Sequence, residues 1–340
     1  MRYRFGGWII DSTLTLPELP PAPEASAPVD FELVVRPDFQ SRPKRPRRWL
    51  HHWLDADGRR MLSIARTSDD GFLLRFPGFL EACLDARASK MLVWPLDCGD
   101  PANVRHLLID QLLPRALAYR GHLPLHAGAV VIEEQAVLVV GESGWGKSTL
   151  VAALHSQGHR VLTDDCALVR PAGSNAHARG TYPSLRLLPD TLARVLDDSH
   201  QTQRPEGQNK HRVRVLEAPV DVIDPPVAAL YVLKAPCPDA RAISTARLTP
   251  GQACIEIMKH SFQLDVSDRT QYARQLRDAA AVATRVPAFE FAYPRDFERL
   301  PDVIAHLQNH LRALNAARQQ TGQLLSRDHT PLFPVSRGQA

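Results

Sequence analysis

The sequence predicts an α/β core preceded by a smaller strand-rich part, and three patterns lead to this fold class. An apolar run at 136–140, a glycine-rich loop and a helical segment at 149–154 follow one another directly. Strands and helices then alternate to residue 314, as in doubly wound sheets. Residues 1–100 carry short apolar runs between turns. We therefore expect domains at 1–100 and 101–316 and a disordered tail at 317–340.

The first hundred residues predict a small, largely antiparallel sheet. Five strands are expected between stretches that contain Pro, Gly or Asp, at 5–10, 31–35, 60–65, 72–76 and 91–94. Residues 17–28 contain five prolines, which excludes regular structure, so we expect an extended linker there.

A helix and a pair of strands lead from this part into the core. Asp100 supplies a capping residue and Pro101 the first helical position of a helix that ends near Tyr119. Its apolar stripe indicates a core-facing side rather than a partner groove. A strand at 124–132 then pairs with 136–140 through a polar turn, and His126 begins that strand. A lone His is more often structural than catalytic, but this one stands near the loop described next.

The loop after the second strand matches the pattern G-x-x-x-x-G-K-[ST]. Its residues are Gly141, Glu142, Ser143, Gly144, Trp145, Gly146, Lys147, Ser148 and Thr149. A strand, such a loop and a helix N-terminus direct backbone N–H groups and the helix dipole at one spot, which favours a polyphosphate. Lys147 is expected to reach the β- and γ-phosphates, and the Ser148 hydroxyl to ligate the accompanying Mg²⁺.

Two adjacent carboxylates follow the same helix. A helix-ending Gly158 leads into a short apolar strand that stops at Asp164 and Asp165. Ligands of doubly wound sheets lie beyond the carboxyl ends of the strands, so the pair and the loop should face one site. Neighbouring strand residues point to opposite sides, which implies different roles: one takes a proton from an attacking hydroxyl, and the other positions Mg²⁺. The alternative is an ordinary Asp-Asp turn.

Together, His126, Lys147, Ser148, Asp164 and Asp165 resemble the catalytic core of bacterial HPr kinase/phosphorylase, whose nucleotide fold is similar to that of phosphoenolpyruvate carboxykinase. The resemblance is strong over residues 124–170 and weak elsewhere. It implies that the Lys binds phosphate and the Ser binds Mg²⁺. It further implies that Asp164 is the base that deprotonates a protein serine, and that the His lies in the same site.

Two departures from that family bear on the reaction. Residues 182–190 stand where the family has a glycine-rich segment that supports phosphorolysis, so the dephosphorylating activity is not expected. Residues 5–10 and the segment Leu16, Pro17, Glu18, Leu19 instead resemble stand-alone HPr-kinase-like proteins of peptide biosynthetic clusters. Those proteins include kinases of the C-terminal serine of lasso-peptide precursors.

Beyond the aspartates the sequence predicts a small-residue loop at 172–180 and a mobile polar loop at 201–211. Lys210 lies in the second loop and Arg212 just after it, where they would form either a lid over the γ-phosphate or substrate, or an ordinary exposed surface. Helices are expected at 189–196, 269–284 and 301–314, and strands at 227–233 and 288–293.

Composition favours a cytoplasmic protein. With 41 basic and 37 acidic residues the net charge is +4, which gives no reason to expect nucleic acid as a partner. The basic run at 42–48 is either a solvated loop or a patch for an acidic partner. Five scattered cysteines predict free thiols, and neither a signal peptide nor a membrane span is expected.

The resulting expectation is a kinase that uses ATP and Mg²⁺ to phosphorylate a serine of a peptide or protein. Lys147, Asp164, Asp165 and His126 are the expected catalytic residues, with Ser148 and Asp165 on the metal. A small-molecule kinase, an HPr-type protein kinase and a nucleotide-binding regulatory protein without transferase activity remain alternatives. The sequence leaves homo-oligomerisation open.

Overall fold

A computed structural model describes residues 1–23, 28–36, 38, 41–44, 46–55, 57–96, 101–196, 202–203, 209–215, 224–237 and 242–327, of which 202–203 and 321–327 by backbone alone. The fold is mixed α/β, and the described residues form four sheets. Within these ranges, no helix is both long and apolar enough to cross a bilayer. The four cysteines that lie there, Cys83, Cys166, Cys237 and Cys254, are free thiols, and Cys98 lies outside them.

Eight strands of the N-terminal part form the first sheet. They are β1 Arg2–Phe5, β2 Trp8–Ser12, β3 Phe31–Val35, β4 His51–Leu54, β5 Arg60–Arg66, β6 Phe72–Phe76, β7 Leu80–Leu84 and β8 Lys90–Pro95. Their order is β1-β2-β3-β8-β7-β6-β5-β4, and only the β2–β3 and β3–β8 pairs are parallel. The expectation of a largely antiparallel sheet is therefore confirmed.

Three local expectations for this part need correction. Residues 5–10 are not one strand, because Gly6 and Gly7, with φ of 58° and 93°, turn the chain between β1 and β2. The strands β4 and β7 were not expected, since His and Glu interrupt their apolar pattern. The proline-rich segment is packed against the protein rather than being a free linker as far as residue 23, because Leu16 and Leu19 are buried in the core. Residues 24–27 lie outside the described ranges.

The predicted helix is present but contains a wider turn. It consists of α1 Pro101–Leu107, a π-helical turn at Leu108–Leu112 and α2 Leu113–Tyr119, while Asp100 lies outside the described residues. Its buried leucines pack into the core of the first sheet, so the expected core-facing stripe is confirmed.

The remaining elements form a second sheet and the helices and smaller sheets around it. They are β9 Pro124–Leu125, β10 Gly128–Ile132, β11 Gln135–Val140, α3 Lys147–Ser156, β12 Arg160–Thr163, β13 Ala167–Ala172, β14 Asn175–Gly180, β15 Ser184–Leu187, α4 Pro189–Val195, β16 Thr202–Gln203, β17 His211–Arg214, β18 Val227–Leu233, β19 Ser244–Arg247, α5 Pro250–Lys259, α6 Arg269–Arg285, β20 Ala288–Ala292 and α7 Leu300–Arg327.

The strand directions in the second sheet bring the ends of several strands to one side of the sheet. Its order is β12-β10-β11-β18-β20-β19, with α3 and α7 packed on one face and α5 and α6 on the other. The strands β11, β18 and β20 are parallel, and β12 runs with them because both β11 and β12 pair antiparallel with β10. The ends of these four strands and the start of β10 therefore share one side, which we call the carboxyl edge.

Other differences from the sequence expectations concern elements outside this sheet. The segment 172–180 is no loop: β13 and β14 form a hairpin, since every β14 residue from Asn175 to Gly180 pairs across it despite a low strand propensity. The strands β15, β16, β17 and β19 and the helix α5 were also not expected, and the strand expected at 124–132 is divided into β9 and β10. The helix α7 runs on to Arg327, past the predicted start of a disordered tail, because its Ala, Gln and Arg residues favour helix.

Candidate functional site

The glycine-rich loop follows β11 at the carboxyl edge and ends at the first turn of α3. Gly146 caps the helix with φ of 94°, and among the described residues the cap has no side-chain hydrogen bond. A side chain at Gly146 would also meet the Tyr293 hydroxyl, since an added Cβ would lie 2.9 Å from it. The loop therefore presents free backbone donors at a helix N-terminus, which is the arrangement that binds phosphate.

Lys147 is held over this loop by the loop's own backbone. Its Nζ donates to the carbonyl oxygens of Gly141 at 2.6 Å and Glu142 at 3.2 Å, and the side chain is buried. Burial lowers the pKa of Lys147, while Asp164 and Asp165 act in the opposite direction. The ammonium group thus lies within electrostatic reach of both carboxylates.

The other loop residues differ in exposure. Glu142, Ser143 and Gly144 are exposed at the tip, whereas Trp145 is half-buried against the core between the sheet and α3. The Thr149 hydroxyl shares a 3.2 Å hydrogen bond with Thr191 of α4, so it is directed away from a loop-bound ligand. The exposed tip leaves the loop open to solvent from one side.

Asp164 follows β12 and is the most enclosed acidic group of the site. Its Oδ2 accepts a 3.0 Å hydrogen bond from the Arg186 N–H of β15, and the Ser148 side chain also hydrogen-bonds the carboxylate. Its Oδ1 is buried and has no hydrogen-bond partner among the described residues. An unsatisfied buried carboxylate oxygen is uncommon and indicates a place for a ligand's donor.

The protonation of Asp164 suits a general base. Burial raises its pKa, and the neighbouring Asp165 adds to this, so that the pKa lies at about 7. The hydrogen bonds from Arg186 and Ser148 and the charge of Lys210 oppose the rise. A base with a pKa near the working pH accepts a proton effectively and is still ionised in a large fraction of molecules.

Asp165 is half-buried, and its Oδ2 has no hydrogen-bond partner within the described ranges. Together with the Ser148 hydroxyl it offers hard oxygen donors beside the glycine-rich loop. Mg²⁺ prefers such donors and commonly takes only one or two from protein, with phosphate and water completing its shell. The residues present therefore fit the expected metal.

His126 lies between β9 and β10, not at the start of a continuous strand as expected, because β9 pairs with β13 in another sheet. The ring Nδ1 of His126 lies 3.0 Å from the Asp165 carbonyl oxygen, and the backbone N–H of His126 donates to the His260 carbonyl oxygen at 2.7 Å. A carbonyl only accepts, so Nδ1 carries a proton. Burial, with the charge of Lys147, lowers the pKa of His126 to about 4, which makes it neutral at pH 7.

Two residues shape the site without any sequence signal. Gly128 begins β10, and an added Cβ there would lie 2.5 Å from Val151 Cγ2 of α3 and 3.7 Å from Asp164 Oδ1. Its missing side chain lets the helix approach the sheet beside the carboxylate. Arg186 acts through its backbone N–H, which any residue type would supply, so its role could not be predicted from its identity.

The two expected lid residues have different positions. Lys210 is half-buried, and its charge acts on both Asp164 and Lys147, so it lies at the site. Arg212 does not belong to a mobile loop: it lies in β17, and its buried guanidinium donates to Asp110 and Tyr182. Residues 204–208 of the expected loop lie outside the described ranges.

Comparisons with known proteins found matches among solved structures. No protein-family model matches the chain, and no curated protein matches it. An HPr(Ser) kinase/phosphatase from Coxiella burnetii is similar over 56% of this chain and 97% of that chain, with 15% sequence identity and a TM-score of 0.27. We therefore base the functional conclusion on the residues of the site itself.

Proposed function

We propose that the protein is a kinase that transfers the γ-phosphoryl group of ATP to a hydroxyl, with Mg²⁺ as cofactor. One observation carries this proposal: a buried carboxylate, Asp164, keeps one oxygen free beside a phosphate-binding loop. A protein that only holds a nucleotide does not need a base with a pKa near 7 at that place. The assignment of roles follows from the contacts.

The loop N–H groups and Lys147 bind the β- and γ-phosphates and stabilise the charge on the transferring group. For this, the ammonium leaves the carbonyl oxygens of Gly141 and Glu142, which hold it here, for the phosphate oxygens. Asp164 accepts the proton of the attacking hydroxyl at its free Oδ1. Lys210 adds positive charge on the open side of the same space.

Ser148 and Asp165 would hold the metal. When bound, Mg²⁺ neutralises phosphate charge and orients the nucleotide. His126 contacts the backbone of Asp165 and is neutral, so its contribution is to hold the turn that carries both carboxylates rather than to add charge.

The proposed acceptor is a serine of a peptide or protein, and the proposed direction is forward only. Both statements extend the sequence resemblance. Residues 182–190, where that family has its phosphorolysis segment, here include β15, whose Arg186 N–H holds Asp164. A lasso-peptide precursor is the acceptor class we propose to test first.

Mass spectrometry tests this function directly. Candidate acceptor peptides with a C-terminal serine are incubated with the protein, ATP and Mg²⁺, and the same peptides with that serine replaced by Ala serve as controls. We expect a mass gain of one phosphate on the serine form alone, and no rapid loss of it when excess phosphate or pyrophosphate is added. Tight ATP binding without transfer to any peptide, protein or small-molecule hydroxyl would contradict the proposed function.

A further inference from the structure

A carboxylate lies in the middle of the leucine-rich helix 101–119, which packs into the core of the first sheet. Asp110 lies in the π-helical turn Leu108–Leu112 and is only 3% exposed. A π turn inserted in an α-helix changes which side chains share a face, and such turns are frequent at functional sites. A buried charge is costly unless it is paired and hydrogen-bonded, so the partners of Asp110 decide what the turn achieves.

Asp110 is fully paired by three side chains. It accepts from Arg212 Nη2 of β17 at 2.9 Å and from the Tyr182 hydroxyl, and His106 Nδ1 lies 2.6 Å from the same carboxylate. Arg212 also donates to the Tyr182 oxygen. We call Asp110, Tyr182 and Arg212 the Asp110 cluster; all three side chains are buried.

The Asp110 cluster is joined to the site through two strands. Tyr182 comes just before β15, and Arg212 of β17 lies directly opposite Arg186 of β15. The N–H of that same Arg186 donates to Asp164 Oδ2 at 3.0 Å. The cluster therefore fixes β15 near its start through Tyr182 and at its centre through the neighbouring strand.

The orientation of Asp164 needs such support. Its Oδ1 is free, so the hydrogen bonds to Oδ2 and from Ser148 determine where the free oxygen points. A general base must lie within hydrogen-bond reach of the proton that it removes, and small displacements are costly. Stability alone does not call for the cluster, because apolar residues of similar volume often replace buried ion pairs without loss.

We propose that Asp110 is a positioning residue for phosphoryl transfer, which acts through Tyr182, Arg212 and the Arg186 N–H on the carboxylate of Asp164. The role in transfer rests on the proposed function, whereas the mechanical link is a property of the protein without nucleotide. In consequence, the helix that completes the core of the first sheet also sets the geometry of the base at the carboxyl edge.

Amide hydrogen exchange of the full-length, nucleotide-free protein tests the link. Asp110→Asn and the milder Tyr182→Phe remove parts of the cluster, and Asp164→Ala removes the acceptor of the Arg186 N–H. Glu81→Gln is the control, because Glu81 is also a buried carboxylate of the first sheet, paired with Arg75 at 2.6 Å. Exchange is followed in peptides that cover β15, β17 and α3.

We expect both cluster variants and Asp164→Ala to accelerate exchange in β15 by roughly threefold to tenfold, the effect of weakening one hydrogen bond, with α3 unchanged. Glu81→Gln should leave β15 at the wild-type rate. The link is rejected if Tyr182→Phe and Asp110→Asn leave β15 unchanged, or accelerate it no more than Glu81→Gln does.

Steady-state kinetics with an acceptor that the wild-type protein phosphorylates separates positioning from stability. Tyr182→Phe should lower kcat several-fold and leave KM for ATP within about twofold, because the phosphate loop is not part of the cluster. Equal losses in kcat and ATP affinity would contradict a positioning role. Absence of any transfer by the wild-type protein would refute the proposed function instead, while the exchange result would still decide the link.

Discussion

The two halves of the candidate site are built in different ways. The half that would bind phosphate, which we call the phosphate half, is one continuous segment that runs from the loop after β11 through the cap at Gly146 into the first turn of α3. The carboxylate half depends on chain segments far apart: Asp164 is held by the Arg186 N–H of β15 and by Ser148 of α3, and Lys210 lies before β17.

From this difference we expect some substitutions to change nucleotide binding and others to change only the rate of phosphoryl transfer. The loop and its Lys147 would contact the nucleotide directly, so replacing Lys147 should lower nucleotide affinity and phosphoryl transfer together. A carboxylate that is oriented by distant backbone and charge should instead be tunable in rate while nucleotide binding persists. The following predictions test that contrast, beginning with the largest effect.

Lys147→Ala should lower both ATP affinity and phosphoryl transfer, with transfer reduced by about 10²–10³-fold. The reason is that this buried ammonium lies on the loop and would neutralise phosphate charge. Titration with a fluorescent ATP analogue and a transfer assay measure the two losses. Lys90→Ala, which removes a surface partner of Glu32, is the control and should change neither quantity. Unchanged turnover in Lys147→Ala would overturn the whole site assignment.

Asp164→Asn should retain ATP binding and lose transfer by on the order of 10²-fold or more, which is the usual contribution of a general base. Asp165→Asn should act mainly through the metal, so that additional Mg²⁺ restores part of its activity. Binding and transfer are measured for both variants at several Mg²⁺ concentrations. An equal loss of ATP affinity in both, without a selective loss of transfer in Asp164→Asn, would refute this division of roles.

Because the pKa of Asp164 is raised, we predict that the stability of the protein free of nucleotide and metal depends on pH. The folded pKa of Asp164, about 7, lies above the ordinary Asp value of 3.8, so between these values the folded state keeps a proton that the unfolded chain has lost. The free energy of unfolding should therefore fall as pH rises through this window. Asn cannot ionise, so the Tm of Asp164→Asn minus that of wild type should be larger at pH 8 than at pH 5. A pH-independent difference would argue against the raised pKa.

Lys210→Ala should give the smallest effect, a decrease in transfer of about tenfold with a smaller change in ATP affinity. Its charge reaches Asp164 and Lys147 from a half-buried position, so it is screened less than a surface charge. Lys234→Ala is the matched control, because Lys234 is a lysine at the carboxyl edge, just after β18, that is paired with Glu290 at the surface. Full activity of Lys210→Ala would remove this residue from the site.

The same contrast explains how much the sequence alone could predict. The strand, loop and helix of the phosphate half and the carboxylates after β12 were predictable, because spacing and composition within a few residues determine them. The β13–β14 hairpin was mistaken for a loop, since its strand character comes from pairing and not from its residue types. Arg212 was expected in a lid for a similar reason. It follows a polar stretch of the sequence, and nothing in that stretch indicates that its guanidinium pairs with the buried Asp110 of a distant helix.

The contributions of Gly128 and of the Arg186 N–H were also beyond prediction. A missing side chain and a backbone donor are not features of a sequence pattern, and each acquires a role only when α3 and β15 pack beside β12. Residue type therefore indicated the groups that we propose to react but not the groups that hold them in place.

The tight turn between β10 and β11 has a consequence for the order of folding. Glu133 and Glu134 both adopt positive φ, 48° and 61°, and close a hairpin to which β12 adds directly. Contacts that are close in sequence cost little loop-closure entropy, whereas the Arg212–Asp110 contact spans 102 residues. We therefore expect pulse-labelled refolding to protect β10, β11 and β12 first and β15 last. The chain would thus carry Asp164 and Asp165 on a formed sheet before it acquires β15, the strand that holds the carboxylate of Asp164.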